Sequence, residues 1–150
     1  MDMRILAVAL LTFGSTAMAA PASAAPLGPN LFIADDAFTI EQAMADAAAQ
    51  RTPQDGPSWK LLVVEHQAQR LLASSALSGS AELIRRAQSA GARVYLCAKD
   101  LKALNATPRD VMQGVHVVRG YLGADEKVPD WERRLPWAPD RKALAVCGSA

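Results

Sequence analysis

Cysteine and aromatic residues are scarce in this chain, and its acidic and basic residues nearly cancel. Among 150 residues there are two cysteines, aromatic residues make up 5%, and the formal net charge is +1. One cysteine pair is too few for a disulfide-held scaffold. So few aromatics and so little charge argue against a nucleic-acid or polyanion partner. Apolar residues make up 51%, which is enough for the hydrophobic core of one domain.

Short sequence motifs that indicate a particular chemistry are also absent. The two cysteines and two histidines lack the C-x-x-C or H-x-x-x-H spacing of a metal site. The sequence has no glycine-rich phosphate loop and no G-x-S-x-G nucleophile elbow. We therefore predict no metal and no cofactor.

The first residues read as a secretory signal peptide. Arg4 precedes an apolar run from Ile5 to Phe13, and small residues follow at 17–19 and 22–24. The run is shorter than the roughly 20 residues that cross a bilayer. We predict a signal peptide over residues 1–24 and one mature domain over 25–150. That domain would be exported to a bacterial periplasm, with no membrane span after cleavage.

Apolar runs and helix-like segments alternate through the mature chain. The segment 39–50 has a capping box at Thr39 and Gln42, and the run 61–64 is continuously apolar, as in a strand buried on both faces. A helix over 80–90, with Ser80 as its cap and Gly91 after its end, precedes a strand over 92–97. This order predicts an α/β fold: a single-domain three-layer sandwich with a mostly parallel sheet of about five strands.

The segments that follow predict two further strands and a polar connection between them. "GVHVVRGYL" predicts the fourth strand, with His116 half-buried in it, and "ALAVC" a short last strand. The polar, proline-broken connection contains Trp131 and Trp137. Their indoles either pin a long loop to the domain or form a lid or partner surface, where Arg133 and Arg134 could meet an anion.

Cys97 ends the strand over 92–97 and precedes a short helix. Ligands gather at the carboxyl ends of strands in open α/β sheets, and a helix N-terminus favours the thiolate. Cys97 is therefore a candidate nucleophile. Two other interpretations remain open: a buried apolar filler, and a structural disulfide with Cys147, which an oxidising compartment permits.

His66 follows the strand over 61–64. If the two strands are neighbours in register, His66 and Cys97 meet at one rim, where the imidazole would stabilise a thiolate. His66 is thus the second candidate catalytic residue. The alternative is a rim histidine that hydrogen-bonds to backbone or water.

The segment 58–120 resembles a known family. In "AELIRRAQSAGARVYLCAKDLKALNATPRDVMQGVHVV", a helix, a glycine, a strand ending in cysteine, a short helix, an acid and a G-V-x-V-V strand follow one another. This order resembles the DsrE/DsrF-like family of small sulfur-handling proteins. The positions in step with the family pattern are Gly91, Cys97, Leu101, Ala103, Asp110, Gly114, Val115 and Val118. In place of the family's usual glycine after the second strand, Gln67 follows His66.

The resemblance implies a function. In sulfur-relay members a cysteine at the end of this strand carries a persulfide, a role that would fall on Cys97. We therefore expect an exported sulfur carrier that exchanges sulfur with a donor or acceptor protein or a small sulfane compound, and that forms homo-oligomers. The alternative is a non-catalytic periplasmic binding or assembly module with a structural cysteine.

Overall fold

The computed structural model describes residues 30–75, 79–124 and 126–148. The signal peptide predicted for residues 1–24 lies outside these ranges. The strands are β1 (Leu31–Ala34), β2 (Trp59–Val63), β3 (Ala92–Cys97) and β4 (Val115–Val118). The helices are α1 (Ile40–Gln50), α2 (Ser80–Ser89), α3 (Ala98–Ala103), α4 (Asp130–Arg133) and α5 (Arg141–Cys147).

All four described strands are parallel, and each pairs with the next one in the chain, in the order β1-β2-β3-β4. Since crossovers between parallel strands are right-handed, a sheet that always steps in one direction places its connecting helices on one face. The tail helix α5 lies on the opposite face. The predicted three-layer α/β sandwich is thus confirmed, with four strands and one further parallel bridge between Arg119 and Trp137.

The two faces of the sheet have separate cores. The helix face is the side on which Leu61, Val63, Val94 and Leu96 pack with α1, α2 and α3. The tail face is the side on which four other strand and strand-end residues pack with α5: Leu62, Val64, Cys97 and Val118. The alternation follows from strand geometry, in which successive side chains point to opposite faces. The run 61–64 is therefore continuously apolar, because both faces of the sheet are covered there.

The tail, residues 126–148, passes around the edge of β4 from one face to the other. Trp131 of α4 packs against the core of the helix face. The N–H of Arg119 then donates to the carbonyl of Pro136 (3.0 Å), and the N–H of Ala138 donates to the carbonyl of Arg119 (2.9 Å). Ala143 of α5 finally packs into the core of the tail face. The tail thereby covers part of an edge that would otherwise present unpaired backbone groups.

An ion pair fixes the first part of the tail to α3. Glu132 is 2% exposed, and its Oε2 lies 2.9 Å from Nζ of Lys102. Lys102 also contacts Glu126 at 3.0 Å. Burial lowers the pKa of Lys102, but the two carboxylates outweigh burial and raise it overall. Because a buried charge without a partner is costly, Lys102 makes the burial of Glu132 tolerable.

Most of the predicted local structure is confirmed. Helix α1 begins with the Thr39–Gln42 capping box, and Gly91 follows α2 with φ +90°. A Cβ on Gly91 would lie within 2.0 Å of the carbonyl oxygen of Pro57, so glycine is required there. Ser80 is not the cap of α2, because Gly79 takes that position and Ser80 is the first helical residue.

The prediction of a last strand in "ALAVC" is wrong, because these residues belong to helix α5. The Asp140 side chain accepts hydrogen bonds from the N–H groups of Lys142 and Ala143 and so caps the helix. Ala143 and Cys147 are four residues apart and share the buried face. A five-residue apolar run cannot by itself distinguish a strand from one buried turn of helix.

Candidate functional site

The sulfur of Cys97 is bonded to that of Cys147. The S–S distance is 2.03 Å, and the two residues are 0% and 3% exposed. Cys97 is the last residue of β3 and the N-cap of α3, as its sequence position indicates, whereas Cys147 ends α5. Of the three interpretations of Cys97, the structure thus shows the disulfide. A nucleophilic role would require that this bond first be reduced.

His66 lies in a 3₁₀ turn, Glu65–Leu71, that follows β2, and its partner is Asp36 beyond the end of β1. Its Nδ1 lies 2.5 Å from Oδ2 of Asp36, and its backbone N–H donates to Oδ1 at 2.9 Å. The hydrogen bond to Asp36 raises the pKa of His66, and the same bond lowers the pKa of Asp36. The imidazole remains 88% exposed, so it is oriented but open to solvent.

The two predicted site residues therefore have separate partners. The register pairs Val63 with Leu96, which places Cys97 level with Val64, two residues before His66. Cys97 belongs to the core of the tail face, whereas His66 is held by Asp36. The sequence correctly places both residues at the carboxyl ends of adjacent strands. It does not reveal that the sulfur is bonded to Cys147.

Two acidic residues that were not candidate site residues from sequence, Glu65 and Asp100, lie at the same rim. Glu65 has φ +56°, and its Oε2 accepts a hydrogen bond from the N–H of Asp36 (3.2 Å). Asp100, in the first turn of α3, is only 9% exposed, and burial raises its pKa against the opposing hydrogen bond from the backbone of Glu65. A signal was available, since these acids follow the ends of β2 and β3. Left-handed backbone at a residue other than glycine is common at functional sites.

We call the strand-end region that contains Asp36, Glu65, His66 and Asp100 the carboxylate rim. It lacks the usual architecture of an α/β ligand site. Such crevices form where the strand order reverses, and the described sheet runs from β1 to β4 without a reversal. Within residues 30–75, 79–124 and 126–148, no group of three or more His, Cys, Asp or Glu side chains could hold a metal ion. The rim thus presents an oriented imidazole and a buried carboxyl group. It has no crevice of the kind that a reversal of strand order creates.

A cleft lies on the tail face beside α5, where the sheet is left open. Arg93 and Tyr95 of β3 and His116 of β4 line one side, and Trp137 of the tail lines the other. Val118, Pro136 and Pro139 complete the lining, and the volume is about 590 Å³. That size suits a small organic molecule. Each of the seven lining residues is neutral or basic.

The tail tryptophans have different environments. Trp131 is partly buried against the core of the helix face and pins the tail, as one of the two interpretations expects. Trp137 is 51% exposed, so the pinning interpretation does not fit it. The guanidinium carbon of Arg119 lies 3.9 Å from the centroid of the Trp137 ring and holds it by a cation–π contact. His116 lies in β4 as predicted but is exposed, because α5 does not reach it.

Comparisons of the chain with protein-family models, with curated proteins and with solved structures found no match. The resemblance to the DsrE/DsrF-like family therefore stays a prediction. None of the described helices is both long and apolar enough to span a bilayer.

Proposed function

We propose that this protein is an exported, non-catalytic binding module in which the cysteine pair is structural. The observation that supports this most is the burial of the disulfide, whose residues are 0% and 3% exposed. A sulfur carrier must present a free thiolate to its donor, and a buried disulfide presents none. The bond instead fastens α5 to the end of β3 and so holds the cover of the tail face.

The binding surface in this proposal is the cleft on the tail face. Ligand sites are usually concave, with apolar walls and a few polar groups that fix orientation. The cleft combines the aromatic surfaces of Tyr95 and Trp137 with the exposed cation of Arg93. The carboxylate rim, by contrast, has an exposed His66–Asp36 pair and no crevice from a strand reversal.

The test is the intact mass of protein recovered from its native compartment without reductant. We expect the mature chain to be lighter than the reduced chain by two hydrogens and to carry no additional sulfur. Unfolding without reductant should release no thiol that iodoacetamide can label. A recovered protein with free Cys97, or with the mass of an additional sulfur atom, contradicts the proposal.

A sulfur carrier is the second candidate, and the position of Cys97 at the strand end and the N-cap of α3 favours it. It requires a dithiol reductant, which gives two electrons to the disulfide and is itself oxidised. The Cys97 thiolate would then attack a sulfane sulfur of a polysulfide. One S–S bond of the donor breaks, a persulfide forms on Cys97, and the shortened polysulfide leaves as an anion. This role would place the protein in the DsrE/DsrF-like family.

The carrier hypothesis is tested with reduced, folded protein. Polysulfide should add sulfur to Cys97 but not to Cys147, so Cys97→Ser should abolish loading and Cys147→Ser should leave it intact. Loading that depends equally on both cysteines, or that occurs only after unfolding, counts against a carrier. A periplasmic location and self-association belong to both candidates, and fractionation and sedimentation of the mature protein test them.

A further inference from the structure

The cleft on the tail face combines fixed aromatic surfaces with uncompensated positive charge. Arg93 is exposed in β3, and within the described ranges its guanidinium has no ion-pair or hydrogen-bond partner. The nearby acid on this face, Asp140, caps α5 and pairs with Lys60 at 3.5 Å. Arg93 therefore keeps its charge and its donors available to the cleft.

The aromatic walls are held in place before any ligand arrives. The rings of Tyr95 and His116 have centroids 5.6 Å apart and are inclined at 37°. On the other side, the backbone bonds of Pro136 and Ala138 to Arg119 fix the segment that carries Trp137. A rigid wall loses little conformational freedom on binding, which favours affinity.

Arg119 holds the Trp137 wall of the cleft from outside the lining. Its guanidinium covers the Trp137 ring at 3.9 Å, and its Nε is buried without a hydrogen-bond acceptor. Arg119 is not among the residues that line the cleft, and its contribution is to hold the Trp137 ring in place.

We propose that the cleft binds a small organic anion in which a planar ring carries a carboxylate or a phosphate. The ring packs between Trp137 and the Tyr95–His116 pair, and the acidic group pairs with Arg93. This inference rests on the proposed binding function and names the chemical class of its ligand. Offset or edge-to-face ring contacts supply the packing, and a charge-assisted hydrogen bond to arginine supplies the selectivity for anions.

The test uses mature, disulfide-bonded protein labelled with ¹⁵N at its tryptophans. Benzoate and phenyl phosphate are the anionic probes, and benzyl alcohol and benzylamine are the neutral and cationic controls. We expect the anionic probes alone to shift the indole N–H signal of Trp137 saturably. The signal of Trp59, whose indole donates to the carbonyl of Ala90 at 3.0 Å, should stay unchanged. Trp137→Phe assigns the signal.

Arg93→Gln should weaken the binding of benzoate and phenyl phosphate by about tenfold, because a hydrogen bond between charged groups is lost. Arg86→Gln is the matched control, since Arg86 is also exposed but lies on α2, across the sheet. Equal shifts with benzylamine, no saturable shift with either anion, or equal weakening by both variants overturns the proposal. Shifts that depend on protein concentration alone also overturn it, because a second copy would then fill the cleft.

The outcome is separable from that of the proposed function. A cleft that binds neither anion in a protein with an intact disulfide refutes this inference and leaves the structural role of the cysteines standing. A native protein that carries a persulfide on Cys97 refutes that structural role, even if the cleft binds benzoate.

Discussion

On the helix face, three connecting helices bury Leu61 and Val94 completely, whereas on the tail face a single short helix covers Leu62 and leaves Arg93 and His116 exposed. The first cover comes from segments that directly join neighbouring strands. The second comes from a tail that must pass around β4 and is fastened by a disulfide. One face is thus covered by the connecting helices, and the other is covered only in part, by a helix that a disulfide fastens to β3.

The largest expected effect comes from breaking the disulfide. Cys147→Ala should lower the free energy of unfolding by about 4 kcal/mol, the loop-closure value for a closed loop of about 50 residues. Urea unfolding of the variant and of the oxidised wild-type protein measures the loss, and wild-type protein with reductant should behave like the variant.

Hydrogen exchange on the same samples locates the loss. Amides of α5 should lose protection while those of β2 and β3 keep most of theirs, because only the tail face is released. Equal loss on both faces would show that the two covers form one cooperative unit.

A matched pair of core truncations sharpens the comparison. Leu61 and Leu62 are adjacent in β2, both 0% exposed, and point to opposite faces. In oxidised protein, Leu61→Ala and Leu62→Ala should each cost about 2–5 kcal/mol. In a Cys147→Ala background, Leu61→Ala should keep its cost, whereas Leu62→Ala should lose most of it because α5 no longer covers the site.

The measurement is urea unfolding of the four combinations, with sucrose added if the double variants are too unstable at low denaturant. The same penalty for Leu62→Ala with and without the disulfide would mean that α5 stays docked without the covalent bond.

A smaller effect is expected at Gly120, where α5 approaches the chain after β4. A Cβ there would lie 2.1 Å from the carbonyl carbon of Cys147 and 2.1 Å from the nitrogen of Gly148. Gly120→Ala should therefore push α5 away and cost about 1–3 kcal/mol. Gly123→Ala is the control, since nothing lies within 4 Å of its added Cβ, and it should stay within about 0.5 kcal/mol. Thermal unfolding that ranks the two variants equally contradicts the close packing.

The smallest effect is a pH dependence at the carboxylate rim. Burial raises the pKa of Asp100 in the folded protein above the ordinary value of an aspartate, so ionisation costs stability once the pH exceeds both the folded and unfolded values. Asp100→Asn should raise the melting temperature at about pH 7 and give no gain near pH 3, where both states are protonated.

The control is a carboxylate elsewhere in the chain, in the turn before β4, whose pKa is shifted in the opposite direction. The backbone and side chain of Thr107 lower the pKa of Asp110, so Asp110 adds stability above its unfolded pKa. Asp110→Asn should therefore lower the melting temperature at about pH 7 and lose this effect as the pH falls through the folded pKa. The same sign for both variants would contradict the assigned burial of Asp100.

The helix face could be predicted from sequence because its signals are local. Three features each determine a conformation through neighbouring residues: the capping box at Thr39, the continuous apolar run over 61–64 and the glycine at 91. The tail face could not be predicted in the same way. Helix α5 is stabilised by contacts with residues far away in the chain, and its short apolar run carries no period that separates helix from strand.

The same difference between local signals and long-range contacts applies to the candidate site. Cys97 and His66 lie at strand ends as expected, because the end of an apolar run marks a strand boundary. Three interpretations of Cys97 stayed open from sequence. The local sequence pattern predicts neither the path of the tail nor the approach of Cys147. The cleft around Trp137 depends on that same path, so it became visible only in the folded chain.

The route of the tail around β4 also bears on the order in which parts of the molecule fold. Each strand pairs with its successor in the chain, so the sheet and its helix face can assemble from segments that are neighbours in sequence. The pairing of Lys60 with Asp140 joins residues that lie further apart in the chain, so its closure costs somewhat more entropy. We therefore expect α5 to dock on the tail face after the sheet has formed. Until the disulfide forms, the folding chain exposes the apolar surface of the tail face. Chaperones can bind this surface, and other chains can aggregate through it.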